Sequence, residues 1–236
     1  MGIELKTFLF PTFFEAKPFL DNYNFLKKDK NIFVFESFYV IIIGIGYKNV
    51  LKSLKNFLQY FTDEVLIVGV CFSPSYHRIG DIVEPKTVIS ENMLNNFNIN
   101  NIDLPLLITV RDPVLNVFDF ERRFSYLKAI RDSVVVDMET YWIIDFLLKN
   151  KVGGSVKIFR IVSDNGEEDF KLNFKERKVV IQKSILNVAK IVLLSWFFST
   201  LDSISKILYQ NFNWLSIIFQ YWVLGILIDN LIYRGF

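Results

Sequence analysis

Two stretches decide the fold of this chain: Val-Val-Asp-Met-Glu at 135–139 and Ile-Phe-Arg-Ile-Val-Ser-Asp at 158–164. Each is an apolar run rich in β-branched residues, typical of a buried strand, and each ends on carboxylates. Ligands of open α/β sheets bind outside the carboxyl ends of strands, so Asp137, Glu139 and Asp164 are expected to meet at one edge of a sheet. A single acid at such a place commonly caps a helix or turn, but two successive strands with this ending favour a site.

The rest of the first two-thirds of the chain alternates strand patterns with helix patterns. Strands are predicted at 5–10, 32–35, 38–43, 65–70, 81–89, 106–110, 133–137 and 156–162. Helices are predicted within 11–27, after Gly46, over 113–130, over 138–149 with Gly153 and Gly154 closing it, and from Phe174 onward. This alternation predicts an α/β fold of three layers, with helices on both faces of a central sheet, and the hairpin at 32–43 makes that sheet mixed.

Composition and charge exclude several classes of protein. The chain of 236 residues is 52% hydrophobic and carries 27 basic and 25 acidic residues without a basic stripe, so nucleic-acid binding is not expected. A single cysteine, Cys71, and a single histidine, His77, allow neither an internal disulfide nor a zinc site of the Cys/His type, and no metal or cofactor is expected. The first residues lack a secretory signal, so a cytoplasmic setting is expected.

The last part of the chain has a different composition. We expect one domain over residues 1–200, followed by an apolar helical extension over 201–236. Residues 214–228 are nearly all apolar, but this run is shorter than the ~18–20 residues that span a bilayer. A buried or dimer-interface helix is therefore the preferred interpretation, and peripheral membrane contact through Trp and Tyr side chains stays open.

Five short motifs, in order along residues 5–190, resemble the nucleoside phosphorylase and nucleosidase superfamily. They are most similar to its methylthioadenosine/S-adenosylhomocysteine nucleosidase branch. The motifs are Pro-Thr-Phe-Phe-Glu-Ala from Pro11, Ile-Gly-Ile-Gly from Ile43, Ile-Gly-Asp-Ile-Val from Ile79, Val-Asp-Met-Glu from Val136 and Arg-Ile-Val-Ser-Asp from Arg160. Each motif is weak by itself, and the ordered set with matched spacing is fairly specific.

The resemblance assigns roles to the acids. Asp164 would protonate N7 of the departing purine, which requires a raised pKa in a dry site, and Glu139 would hold the ribose 2′- and 3′-hydroxyls. Glu15 would position and activate the attacking water, although an acid there is also favoured by the dipole of a helix N-terminus. Arg160 is as well explained by a structural ion pair as by substrate contact. Further expected substrate contacts are Met138, Asp137, Ser163, Phe174, Cys71 and Phe72.

The resemblance also implies a small-molecule purine nucleoside as substrate, a homodimer and a role in methionine salvage. Phosphorylases hold a phosphate dianion with arginines. In the loop 11–18 the only basic residue is Lys17, so water is favoured over phosphate as the nucleophile. A phosphorylase, a nucleosidase of a lipid-linked nucleoside and a non-catalytic binding protein remain as alternatives. Phe72 departs from the family because it stands where a second glycine would let backbone approach the nucleoside.

Overall fold

The computed structural model of this chain describes residues 6–75, 77–96, 102–152, 154–166 and 173–211, without the side chains of 95, 96, 174 and 196–211. The chain divides into two compact units, Met1–Val188 and Ala189–Phe236. The apolar run 214–228 lies outside the described residues.

The first unit contains a mixed sheet and helices that follow the predicted alternation. The strands are β1 Lys6–Phe10, β2 Leu26–Asp29, β3 Ile32–Phe35, β4 Phe38–Ile42, β5 Glu64–Phe72, β6 Ile82–Val83, β7 Thr87–Ser90, β8 Leu106–Thr109, β9 Val134–Asp137 and β10 Ser155–Asp164. The helices are α1 Phe13–Asn22, α2 Gly46–Asn56, α3 Val117–Arg123, α4 Thr140–Asn150 and α5 Phe174–Asn211, the last of which runs into the second unit.

Strand β5 is the centre of the sheet. The strand order is β2-β3-β4-β1-β5-β9-β8-β7, and β10 pairs with both β5 and β6. Strand β5 runs parallel to β1 and to β10, and its last residue, Phe72, pairs with Val136 of β9. The carboxyl end of β5 therefore lies between the two strands that carry the predicted acids. This arrangement places all of those acids at one edge of the sheet.

Alternate residues of β1 show that helices cover both faces. The ring of Phe8 packs 4.6 Å from that of Phe19 in α1, measured between centroids. The next residue, Leu9, points the other way into a buried cluster with Val50 of α2 and Ile143 of α4. The three-layer α/β prediction is confirmed.

Several predicted boundaries were wrong for identifiable reasons. The single helix predicted over 113–130 is a short helix α3 followed by a 3-10 helix, Ser125–Ser133, because Phe124 leaves the helical conformation at φ −131° and ψ 38°. The strand predicted over 81–89 is broken into β6 and β7 by a segment that contains Pro85. Helix α4 ends at Asn150. The next residue, Lys151, has the left-handed φ of 52° that closes the helix, a role that the sequence predicted for Gly153 and Gly154.

Strand β2 was missed because its side chains are all exposed and give no apolar period. It pairs with β3 at the edge of the sheet. Lysines are common on edge strands because their charge opposes pairing with a strand of another molecule.

Among the described residues, no helix combines the length and apolar character needed to cross a bilayer.

A buried ion cluster ties three strands together at the edge opposite to the acids. Lys6 of β1 and Glu64 of β5 form a buried ion pair, and Lys157 Nζ of β10 lies 2.6 Å from Glu64 Oε1. Burial alone would raise the pKa of Glu64, but the bonds with Lys157 and Lys6 outweigh it and hold the pKa below its usual range. Glu64 therefore compensates the otherwise uncompensated charge of the buried Lys6.

We expect Glu64→Gln to lower the free energy of unfolding by about 3 kcal/mol, because it leaves the Lys6 ammonium buried without a counter-charge. Urea denaturation monitored by circular dichroism measures this. The matched control is Lys157→Ala, which removes the half-exposed partner and is expected to cost about 1 kcal/mol or less. Equal losses of unfolding free energy in the two variants would show that the buried charge of Lys6 does not need Glu64 as its partner.

Candidate active site

The predicted acids line one cavity of about 470 Å³ at the carboxyl ends of β5, β9 and β10. The helix and loop that follow β1 close its other side. All predicted site residues whose side chains are described line this cavity: Glu15, Cys71, Phe72, Asp137, Met138, Glu139, Ser163 and Asp164. Phe174 begins α5, and its side chain lies outside the described part of the chain. The strand endings predicted that Asp137, Glu139 and Asp164 would lie together, and the family resemblance added the other residues of this cavity.

Glu15 is fixed by its own helix start and by β5. Its Oε2 accepts hydrogen bonds from the N–H of Thr12 at 2.8 Å and from the Thr12 hydroxyl at 2.5 Å, and Thr12 Oγ1 accepts from the Glu15 N–H. Its Oε1 accepts from the N–H of Val70 at 2.8 Å. This reciprocal capping box confirms that Glu15 has a local role at the helix N-terminus, and it also orients the carboxylate. Burial raises the pKa of Glu15, against the lowering effect of these bonds.

Asp137 and Arg160 form a buried ion pair behind the cavity. Arg160 Nη2 lies 2.5 Å from Asp137 Oδ2, and neither side chain is exposed. Asp137 Oδ1 accepts from the hydroxyl of Thr109 at 2.6 Å, and Oδ2 accepts from the N–H of Thr140 at 3.0 Å. Arg160 Nε donates to Thr140 Oγ1 at 3.0 Å. The structure thus shows the structural ion pair for Arg160, which does not line the cavity.

A glycine makes room for this guanidinium. A Cβ atom on Gly69 of β5 would lie 2.2 Å from Arg160 Nη1 and 3.1 Å from Glu15 Oε1. Such contacts are far inside van der Waals distance, so the absence of a side chain at Gly69 lets Arg160 and Glu15 come together across β5. Gly69 lies three residues before Phe72, on the same strand β5.

Glu139 lies at the start of α4, and its Oε1 accepts a hydrogen bond from the N–H of Gly46 at 3.2 Å. Burial raises its pKa to about 7, and the nearby charge of Asp137 adds to this while Arg160 opposes it. Glu139 therefore changes its charge near neutral pH. The glycine turn at 44–46 contributes an amide that orients this acid.

Asp164 ends β10 in a tight turn. Its Oδ1 accepts from the N–H of Gly166 at 2.8 Å, and its carbonyl accepts from the N–H of Ser73 at 2.9 Å. Gly166 has a φ of +71°, and a Cβ there would lie 2.7 Å from Val117 Cγ2 of α3. The turn thus needs glycine both for its left-handed backbone and for its close packing. These contacts hold the Asp164 carboxyl group toward the cavity that it lines.

Cys71 and Phe72 form part of the apolar wall. Both are buried, and burial raises the pKa of the Cys71 thiol to about 12, so Cys71 is a structural thiol rather than a reactive one. The Phe72 side chain packs in a cluster with Val136 and Phe120. The side chain at position 72 therefore occupies space between β9 and α3.

The structure adds residues that the sequence did not indicate. Thr109 and Thr140 complete the hydrogen bonds around Asp137. Pro113 and Val114, which precede α3, supply a wall of the cavity. Thr12 could have been found from its spacing to Glu15, which matches a capping box. Within the described ranges, no cluster of His, Cys, Asp and Glu is arranged to hold a metal ion.

The raised pKa of Glu139 predicts a pH-dependent stability. The ordinary pKa of 4.5 applies to the unfolded chain and about 7 to the folded one, so between these values the folded protein binds more protons. Stability from this group is therefore fully present at low pH and is lost as pH rises toward 7. Glu139→Gln keeps an acceptor for Gly46 but cannot ionise. It should raise the free energy of unfolding at pH 8 by about 1–3 kcal/mol and change it little at pH 5.

Urea denaturation at both pH values measures this effect. The control is Glu121→Gln, which removes a partly exposed ion pair with Arg131 and should change stability by about 1 kcal/mol or less at either pH. The prediction for Glu139 is wrong if the stability difference between Glu139→Gln and the unsubstituted protein is the same at pH 5 and pH 8.

Comparison with known proteins identifies the fold. No protein-family profile and no curated protein sequence matches this chain. Solved structures do match it. A 5′-methylthioadenosine/S-adenosylhomocysteine nucleosidase (MTAN) variant from Chlamydia trachomatis, bound to MTA, has a TM-score of 0.61 at 17% identity, over 81% of this chain and 99% of that one.

Two further structures give the same result. The MTAN of Campylobacter jejuni has a TM-score of 0.59 at 15% identity, over 82% of this chain and 99% of that one. The native futalosine hydrolase of Helicobacter pylori has a TM-score of 0.57 at 17% identity, over 78% of this chain and 98% of that one. The chain therefore has the fold of the MTAN and futalosine hydrolase structures, as its sequence motifs predicted.

Proposed function

We propose that this protein is a purine nucleosidase that hydrolyses the N-glycosidic bond of an adenine nucleoside such as methylthioadenosine or S-adenosylhomocysteine. One observation carries this proposal: a single cavity collects the carboxylates of Glu15, Asp137, Glu139 and Asp164, and no Lys or Arg is among its described lining residues. The cleavage of such a bond builds positive charge on the sugar and negative charge on the base, and carboxyl groups can serve both needs.

Asp164 serves the departing base in this proposal. As the bond between C1′ and N9 breaks, its electron pair moves into the purine, and a proton passes from the Asp164 carboxyl group to N7. Adenine then leaves as a neutral molecule rather than as an anion. The turn that holds Asp164 through Gly166 and Ser73 keeps the acid in one place for this transfer. The neighbouring Ser163 lines the cavity and supplies a further polar contact.

Glu139 serves the sugar. As a carboxylate it accepts hydrogen bonds from the 2′- and 3′-hydroxyls and lies close to the positive charge that develops on the ring. Its neighbour Met138 lines the cavity and provides an apolar surface for the ribose. Asp137, bound by Arg160 and two threonines, is a support for this segment rather than a substrate ligand.

Glu15 serves the water. Its carboxylate is buried, its pKa is raised by burial, and its orientation is set by Thr12 and Val70. A buried carboxylate with a raised pKa is a stronger base than one in water, so it can accept a proton from water as that water attacks C1′. The proton taken up by Glu15 and the proton given by Asp164 balance the reaction.

The charges of the cavity favour hydrolysis over phosphorolysis. A phosphate dianion would have to enter a cavity with four carboxyl groups, and the nearby Arg160 is already paired with Asp137. A dianion is repelled by every carboxyl group of the cavity that is ionised, and this repulsion is strong where water is excluded. A neutral water molecule carries no such penalty.

A homodimer and a role in methionine salvage belong to this proposal as inferences from the resemblance, and a cytoplasmic location belongs to it as expected from the sequence. The exposed Phe13 and Ile45 beside the cavity suit a subunit contact.

We expect the purified protein to release adenine from methylthioadenosine at the same rate with and without inorganic phosphate, because the nucleophile is water. Chromatography of the products measures adenine and the released sugar. Adenine release that requires phosphate would identify a phosphorylase, and no adenine release from methylthioadenosine or adenosylhomocysteine would contradict the proposed nucleosidase.

Asp164→Asn is expected to lower kcat for methylthioadenosine by about 10²-fold or more, because Asn cannot give a proton to N7. Nucleoside binding should be retained, since Asn keeps the size of the side chain. The Chlamydia trachomatis protein is an Asp-to-Asn variant seen with MTA bound, which supports this design.

Calorimetric titration of the variant with methylthioadenosine measures its binding, and Asp112→Asn, which changes an exposed acid, is the control with unchanged turnover. Turnover by Asp164→Asn close to that of the unsubstituted protein would contradict the role of Asp164.

A further inference from the structure

The loop that joins β5 to β6 wraps around the end of β10, the strand that carries Asp164. We name residues 73–81 the clasp loop; its Tyr76 lies outside the described residues. Strands β5 and β6 flank β10, so the loop between them crosses over its carboxyl end. The position of Asp164 therefore depends on the conformation of this loop.

Four hydrogen bonds join the clasp loop to β10 and the residue after it. The N–H groups of Ser73 and Gly80 donate to the carbonyls of Asp164 and Val162 at 2.9 and 2.8 Å. The N–H of Val162 donates to the carbonyl of Asp81 at 2.9 Å. The amide Nδ2 of Asn165 donates to the carbonyl of His77 at 3.0 Å. Asp164 is thus held by bonds to residues on both sides of it.

A side-chain pair closes the clasp loop on itself. Ser73 Oγ lies 2.9 Å from His77 Nδ1, and Ser73 is completely buried while His77 is half-buried. Ser75 Oγ is farther away, 3.4 Å from Ser73 Oγ and 3.5 Å from His77 Nδ1. Two of the four bonds to β10 come from Ser73 and His77 themselves. The pair therefore fixes the distance between two of the loop's attachment points.

The loop is also braced from outside. Gly80 has a φ of +95°, and a Cβ there would lie 2.4 Å from Val180 Cγ1 of α5. The loop backbone is therefore packed directly against this helix. On the other side of Asp164, Gly166 packs against Val117. With both flanks fixed, the Ser73–His77 pair is a bond between two loop side chains whose strength a substitution can alter without changing residues 162–165.

We propose that Ser73 and His77 are positioning residues that hold the Asp164 carboxyl group against the departing base. This inference rests on the proposed nucleosidase function. The bonds described for the clasp loop reach residues 162–165 and the loop itself, and none reaches Glu15, Asp137 or Glu139. Loss of the pair should therefore impair protonation of the base and leave the handling of the sugar and water intact. His77, the single histidine of the chain, acts through Asp164 and not on the substrate.

Two leaving groups separate this role from a merely structural one. Adenine needs a proton to leave, whereas 4-nitrophenolate leaves as an anion near neutral pH. We expect His77→Leu and Ser73→Ala each to lower kcat for methylthioadenosine by about 10-fold to 10²-fold. With 4-nitrophenyl β-riboside, kcat should change by less than about threefold. His77→Asn, whose side-chain amide occupies the place of Nδ1, should restore most of the activity on methylthioadenosine.

Thr87→Ala is the matched control, because it removes a side-chain hydrogen bond to the carbonyl of Asp103 at 2.8 Å outside the clasp loop. It should leave both activities unchanged. If His77→Leu and Ser73→Ala lower kcat equally on the two substrates, or lower it on neither, the positioning role is overturned. If the unsubstituted protein cleaves neither substrate, the proposed function fails instead, so the two failures are distinguishable.

Discussion

The site depends on one buried ion pair, between Arg160 of β10 and Asp137 of β9. The removal of a guanidinium from water costs several kcal/mol, and Asp137 and Thr140 compensate that cost only with the geometry seen here. Arg160 Nη1 also lies near the carbonyl of Val70, at 3.5 Å, so the guanidinium links three strand ends and the start of α4. Without its charge, Glu15, Asp137 and Glu139 would repel each other at the bottom of a dry cavity.

The balance of charge around this pair explains the character of the cavity. One guanidinium faces several carboxyl groups; burial, with the nearby charge of Asp137, raises the pKa of Glu139 to about 7. In the proposed reaction, a cavity with excess negative charge would stabilise a ribosyl cation more than a neutral ribose, which is the difference that catalysis requires. The same charge would oppose the entry of phosphate. The proposed transition state and the proposed nucleophile thus depend on one electrostatic feature.

The sequence predicted the parts of the fold that follow from apolar period and strand endings. The acids of β9 and β10 were assigned to one edge because each follows an apolar, β-branched run that predicts a strand, and ligands bind outside the carboxyl ends of such strands. Exposed β2 and the break at Phe124 were missed, since neither is visible in a pattern of apolar residues. Thr109 and Thr140 were missed for another reason: their role exists only where β8, β9 and α4 meet in space. The clasp loop likewise depends on pairings between distant segments.

Gly69 has a consequence for how the guanidinium of Arg160 is oriented. A methyl group at this position of β5 would occupy the space of Arg160 Nη1, so the end of the arginine side chain would have to move. Its contacts with Asp137, Thr140 and Val70 would then have to rearrange together, because all of them are made by the same planar group. A residue without a side chain thus sets the direction in which the buried charge of the site points.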